Sequence, residues 1–141
     1  MADSKRERIL QRIETVLAAT AGVSGRVYRS DPAAATRAQA PCIHLRWRTD
    51  QATPQTVPQI ERTLSVEIAI VTRGDKPDQL ADPIAQSVHA LLMADPTLGG
   101  ACAGLRYVGT DREQDERDEY LVVTLRYAAV VVTQIDDLTA A

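Results

Sequence analysis

The sequence predicts an α+β domain of two layers, with two amphipathic helices packed on one face of a four- or five-stranded, mostly antiparallel sheet. Two observations carry that expectation. Apolar residues recur every three or four positions in two stretches and every second position in others, the spacings of a helix stripe and of a half-buried strand. The order is helix, short strand, strand, strand, helix, strand, strand, so neighbouring strands can pair as hairpins while both helices cover one side. A chain of 141 residues is long enough to bury one core. Residues 1–141 are therefore read as a single domain, with 133–141 a polar tail expected to fray.

Ser4 followed by Glu7 is a capping box, so a helix should start there. Ile9, Leu10, Ile13, Val16 and Leu17 form its apolar stripe, and Gly22 in "TAGVSG" is a plausible stop. "RVYR", residues 26–29, is a short strand. Between Cys42 and Arg48 the chain alternates, with Ile43, Leu45 and Trp47 on one face and His44, Arg46 and Arg48 on the other. "TDQATPQTVPQIE" has two prolines and no apolar period, and reads as a long mobile connection. Leu64, Val66, Ile68 and Ile70 mark the next strand, in a hairpin with the previous one. Asp75 or Asp78 is the expected N-cap of the second helix, whose stripe is Leu80, Ile84, Val88, Leu91 and Leu92; Pro83 either kinks it or stands in its first turn. "ADPTLGG" ends that helix. "LRYVGT" is a strand and "DREQDERDE" a turn. Residues 120–133 form the longest strand, apolar on both faces and therefore expected to be central.

Composition narrows the function. Hydrophobic residues make up 45% and charged residues 25%, as in globular chains. With no Phe and one Trp, aliphatic packing must carry the core. No stretch approaches the ~18 apolar residues of a membrane span, and "MADSKRERIL" lacks the apolar core of a signal peptide, so no membrane partner is expected. Cys42 and Cys102 have no C-x-x-C or zinc spacing and read as two packed, reduced thiols. The net charge of -3 argues against direct nucleic-acid readout. Its distribution is uneven: residues 1–48 hold nine Lys/Arg and four Asp/Glu, residues 49–141 seven and fifteen. Unlike patches of this kind can meet on neighbouring copies.

Chemistry is harder to find. Gly99 and Gly104 have the spacing of a P-loop, but Leu105 and Arg106 stand where Lys and Ser/Thr belong, and the glycines follow a helix instead of a strand. No nucleophile with its base, carboxylate pair or metal-ligand spacing stands out, so the chain reads as no enzyme, with no catalytic residue, cofactor or metal. His44 among arginines reads as a surface or interface histidine, and His89 as a boundary residue of the second helix. The acids Asp111, Glu113, Asp115, Glu116, Asp118 and Glu119 lack a calcium-loop pattern and read as a solvated hairpin tip, with a charged docking surface as the alternative.

The layout "RILQRIETVLAATAGVSGRVYRS", "APCIHLRW", "RTLSVEIAIVTRG", "ADPIAQSVHALLMADPTLGGACAGLRYVGTD" and "YLVVTLRYAAVVVT" resembles the tail-terminator, or tail completion, family of long-tailed phages and prophages, the minor tail protein U-like proteins. The helix leading into "RVYR", Pro41 before an aliphatic strand, and "ADPTLGG" before a strand are its most specific pieces. The resemblance implies a structural protein that forms a ring, commonly a hexamer, on the last ring of the tail-tube protein. It would end tail polymerisation and offer a surface to the head-tail connector or neck protein. It also implies assembly in the host cytoplasm and a place in the virion tail. A head-tail joining protein of related fold is the alternative. Loop position and charge then suggest interface residues Arg46, Arg48, Thr49, Asp50, Gln51, Thr53, Gln55, Thr56, Gln59, Arg62, Asp111, Glu113, Asp115 and Glu116. The loop from Thr49 to Glu61 would order on contact with the tube.

Overall fold

The computed structural model describes residues 3–29, 40–53, 59–115, 120–134 and 137–139, without the side chains of Asp115 and Tyr120. In chain order the elements are α1 (Lys5–Leu17), β1 (Val27–Tyr28), β2 (Cys42–Thr53), β3 (Gln59–Arg73), α2 (Pro77–Ala94), β4 (Gly104–Asp115) and β5 (Tyr120–Gln134). The five strands form one sheet in the order β1-β2-β3-β5-β4. β1 is parallel to β2, and every other pair is antiparallel. α1 packs on β1 and β2, and α2 on β3 and β5. This is the two-layer α+β arrangement that periodicity predicts.

The Ser4 Oγ accepts the Glu7 N–H at 3.1 Å and starts α1, whose Ile9, Leu10, Ile13 and Leu17 are fully buried. Only half of the capping box forms. The Glu7 carboxylate takes both terminal guanidinium nitrogens of Arg29 at 3.0 Å and is held below the usual carboxylate range chiefly by that contact. α2 starts differently from expectation. Lys76 is its N-cap and makes no side-chain cap bond; Pro77 at the first position supplies the helical φ and has no N–H to satisfy. Neither Asp75 nor Asp78 caps, and Pro83 lies inside the helix. The Thr72 hydroxyl donates to the Pro77 carbonyl at 2.8 Å, fastening the helix start to β3.

"ADPTLGG" closes α2 as expected, through three consecutive residues of positive φ: Leu98 (53°), Gly99 (70°) and Gly100 (89°). Leu98 is 2% exposed, so burial of its side chain holds a backbone conformation that a leucine rarely adopts. The Asp95 carboxylate accepts the Gly99 N–H and the Thr97 hydroxyl, each at 2.8 Å. A carboxylate already occupies the N–H that a phosphate would need, which removes the P-loop reading.

Two connections are shorter than expected. Thr49–Thr53 pair with Glu61–Ser65 in register, so the proline-containing stretch is mostly hairpin, and only 54–58 fall outside the described residues. β4 likewise runs through the acidic stretch to Asp115, opposite Tyr120. Neither extension has an apolar alternation in sequence; ladder hydrogen bonds hold the paired strands there. Of the tail, Asp137–Thr139 lie beside α1, with the Lys5 N–H donating to the Leu138 carbonyl at 2.9 Å.

On the helix side, Leu64, Val66, Ile68 and Ile70 of β3 and Leu121, Leu125, Tyr127 and Ala129 of β5 form the core with both helices. Leu125 is directly opposite Ile68 and 5% exposed. Leu125→Asp buries an unpaired charge there and should destabilise the fold by about 3 kcal/mol or more, read as a lower urea midpoint at an unchanged slope.

Candidate functional site

The face of the sheet away from the helices carries a row of alternating charge. Arg46 of β2 is opposite Glu67 of β3, and Glu67 is opposite Arg126 of β5. The Arg46 Nε donates to Glu67 Oε1 at 2.9 Å, and the Arg126 Nε lies 3.4 Å from Glu67 Oε2. Arg126 continues the row through an ion pair with Asp111 of β4. The row therefore reads Arg46, Glu67, Arg126, Asp111 across four strands. The Glu67 side chain is 7% exposed, against 42% for Arg46, 40% for Arg126 and 55% for Asp111. The inner carboxylate is enclosed and the outer members face water. Removing a partner from an enclosed carboxylate costs more than removing an exposed pair.

β-Bulges shape both outer strands. The register of β2 shifts between Trp47 and Thr49, and that of β4 between Tyr107 and Gly109. The extra residues are Arg48 and Val108. Both are exposed, Val108 at 58%, and both line a small depression beside Glu67 and Arg126. Bulges twist an outer strand and re-aim its side chains. Trp47, on the helix side, is 42% exposed, with the Arg6 guanidinium 4.3 Å from its ring centroid.

A second charged group lies on the helix side. Arg62 is 3% exposed; its Nε donates to Asp50 Oδ1 at 2.9 Å, a second bond runs from its Nη2 to Oδ2, and its Nη1 reaches the Thr133 hydroxyl at 3.4 Å. Arg6 of α1 adds an ion pair to Asp50 at 3.2 Å. Asp50 is held below the usual carboxylate range, first by its hydrogen bond from Arg62, against the opposing effect of burial. Arg62 is thus an internal strut and does not face a partner, a correction to its sequence reading. The cause is position: residue 62 shares the inward face of β3 with Leu64, and only Asp50 across the strand makes a cation acceptable there.

Of the remaining interface candidates, Thr49 is half-buried, and Gln51, Thr53 and Gln59 are exposed on paired strands. Glu113 is exposed on β4. Gln55, Thr56, Glu116 and the Asp115 side chain lie outside the described residues. The fold joins Arg46 and Asp111 into one row. It does so through Glu67 and Arg126, which alternation alone places on the outward face but cannot bring opposite one another.

His44 is buried, 2% exposed, not a surface histidine. Its Nε2 is 3.5 Å from Cys42 Sγ, and its ring centroid is 5.4 Å from that of Tyr28. A Cys-His pair invites a nucleophile reading, but burial pushes the Cys42 thiol up to about 11, so the thiolate needed for attack is scarce at neutral pH. His89 sits at the helix boundary as expected. Its Nδ1 is 2.9 Å from the Tyr127 hydroxyl, whose pKa burial raises to about 12. His89 and Tyr107 line a shallow groove of about 390 Å³ with Ala85, Gln86, Ala90 and Leu125, and no carboxylate faces it. Among the described residues no group of three or more His, Cys, Asp or Glu is placed to hold a metal, and no helix is long and apolar enough to cross a membrane.

No family model and no curated protein matches the chain. Among solved structures, it is similar to a chain of the virion of a native gene transfer agent (GTA) particle, at 16% identity, over 88% of this chain and 91% of that one, with a TM-score of 0.46. A likeness at that level carries no conclusion about function.

The two arginines of the outward face should respond differently to charge reversal. Arg46→Glu sets a second carboxylate against enclosed Glu67 and should cost about 2 kcal/mol or more, whereas Arg48→Glu, exposed on its bulge, should stay within about 0.5 kcal/mol; urea denaturation compares them. Asp50 has a depressed folded-state pKa, so its pair stabilises the fold above the unfolded carboxylate pKa of about 3.9 and loses that effect as pH falls through the lower folded value. Asp50→Asn should lower stability at pH 7 and flatten the acid limb of a stability-against-pH curve.

Proposed function

We propose that the protein is a structural component of a phage or prophage tail, a ring-forming terminator that caps the tail tube and offers a surface to the head-tail connector or neck. The observation that carries this reading is the order of sequence segments, which resembles that of the tail-terminator family. The pieces that give the resemblance its specificity occupy consistent places in the fold. "RVYR" leads from α1 into β1, Pro41 precedes aliphatic β2, and "ADPTLGG" turns α2 into β4. The surface supports the reading too. A charged row lines one sheet face and reaches both outer strands, a layout suited to contact between proteins.

The partners under this reading are further copies of the chain, the tail-tube protein and the connector. β2–β3 and β4–β5 form two long hairpins on either side of the sheet. Such arms are suited to reaching a neighbouring ring. Native mass spectrometry and electron microscopy, with and without tail-tube protein, should show rings and capped tube ends. A chain that neither self-associates nor binds tube ends overturns the reading, and binding to connector rings without binding to tubes replaces it with the head-tail joining function.

A further inference from the structure

The outward row of charge has unlike ends. It begins with Arg46 on β2 and ends with Asp111 on β4, and these are the strands at opposite sides of the four-stranded antiparallel part of the sheet. β1 pairs only with Ile43 and His44 of β2. From Leu45 to Thr53 the outer side of β2 has no strand partner among the described residues, and neither does the outer side of β4 from Gly104 to Asp115. Long open strands of this kind pair readily with other chains unless their charges forbid it. Here the charges forbid some pairings and favour one. β4 against β4 sets Asp111 and Glu113 against their own copies, and β2 against β2 sets Arg46 and Arg48 against theirs.

We infer that copies of this chain join head to tail by pairing the outer side of β4 with the outer side of β2 of the next copy, Asp111 meeting Arg46, so that one charged row continues from subunit to subunit. This deepens the ring reading above and rests on its self-association. Strand direction permits the junction. β2 and β5 run one way and β3 and β4 the other, so β4 meets the next copy's β2 antiparallel when both sheets keep the same orientation. Side-chain faces agree as well. With Asp111 opposite Arg46, Thr110 falls opposite Trp47, both on the helix side. The two bulge residues, Val108 and Arg48, then fall at the same level, and beyond them Tyr107 is opposite Asp50. The two bulges cancel and the faces stay matched. Trp47 and Tyr107, 42% and 44% exposed, come within diagonal reach on the helix side, and Arg48 comes within diagonal reach of Asp111 on the other. A junction between two different surfaces is heterologous and closes into a ring when its rotation allows.

Exchange of charge tests this. R48E and D111K are made separately, and self-association of each is measured by sedimentation and native mass spectrometry. Each variant places like charges at its own junction and should weaken association about tenfold or more; an equimolar mixture restores opposite charges at the junction between them and should recover wild-type assembly. Variants that assemble like the wild type, a mixture no better than its components, or a monomeric wild type overturn the inference. If D111K does not fold, mixing W47C with T110C under oxidation should give an intermolecular disulfide, since native Cys42 and Cys102 are buried; no such link overturns the pairing. Tube capping by the wild type is scored independently. Rings that cap tubes but ignore the charge exchange remove only this junction, and chains that obey the exchange but leave tubes uncapped remove only the terminator reading.

Discussion

The pairing of β3 with β5 is the interaction on which the rest of the molecule depends. The two strands are aligned from Gln59 opposite Gln134 to Arg73 opposite Tyr120 without a break in register. Because side chains alternate along a strand, this one alignment sets both faces at once. A slip by one residue would turn Leu64, Val66, Ile68 and Ile70 away from the helices and bring Glu67 beneath them. The aliphatic rows on both strands make such a slip costly, at roughly 25 cal/mol for each Å² of apolar surface returned to water.

The outer strands inherit their places from this pair. β2 and β4 dock on either side and both bulge at the level of Val66 and Tyr127. The bulges leave the inner pair regular while the outer strands twist and expose an extra residue each. The inward face also explains the buried arginine: Arg62 falls beyond the reach of the aliphatic core, where the Asp50 carboxylate and the Thr133 hydroxyl accept from its nitrogens. The fold thus tolerates a charge inside because the facing strand supplies its counter-charge, the Asp50 carboxylate.

The same alignment bears on function. The outward face holds a depression of about 420 Å³ lined by the charged row, and its Cys42 thiol, beneath Tyr28, is buried and stays protonated. Its distinguishing property is a row of charge whose ends differ. That property directs attention to the two sides of the sheet.

The sequence by itself determined the class and order of elements, most of the core stripe of each helix and strand, though Leu80 and Trp47 are exposed, the cap at Ser4 and the stop at "ADPTLGG", because each rests on local periodicity or turn chemistry. It also placed His44, Arg46, Arg48, Glu67 and Arg126 on one face, by alternation. It misjudged the stretches around Thr49–Glu61 and Asp111–Asp115, where ladder bonds extend strands that have no apolar period. The tertiary structure alone decided that Arg46, Glu67, Arg126 and Asp111 form one row, that Arg62 is an internal strut and that His44 is buried. Each depends on which residue is opposite which across strands, as far apart in the chain as Gln59 and Gln134, and register between distant strands is a property of the assembled sheet that no local pattern encodes.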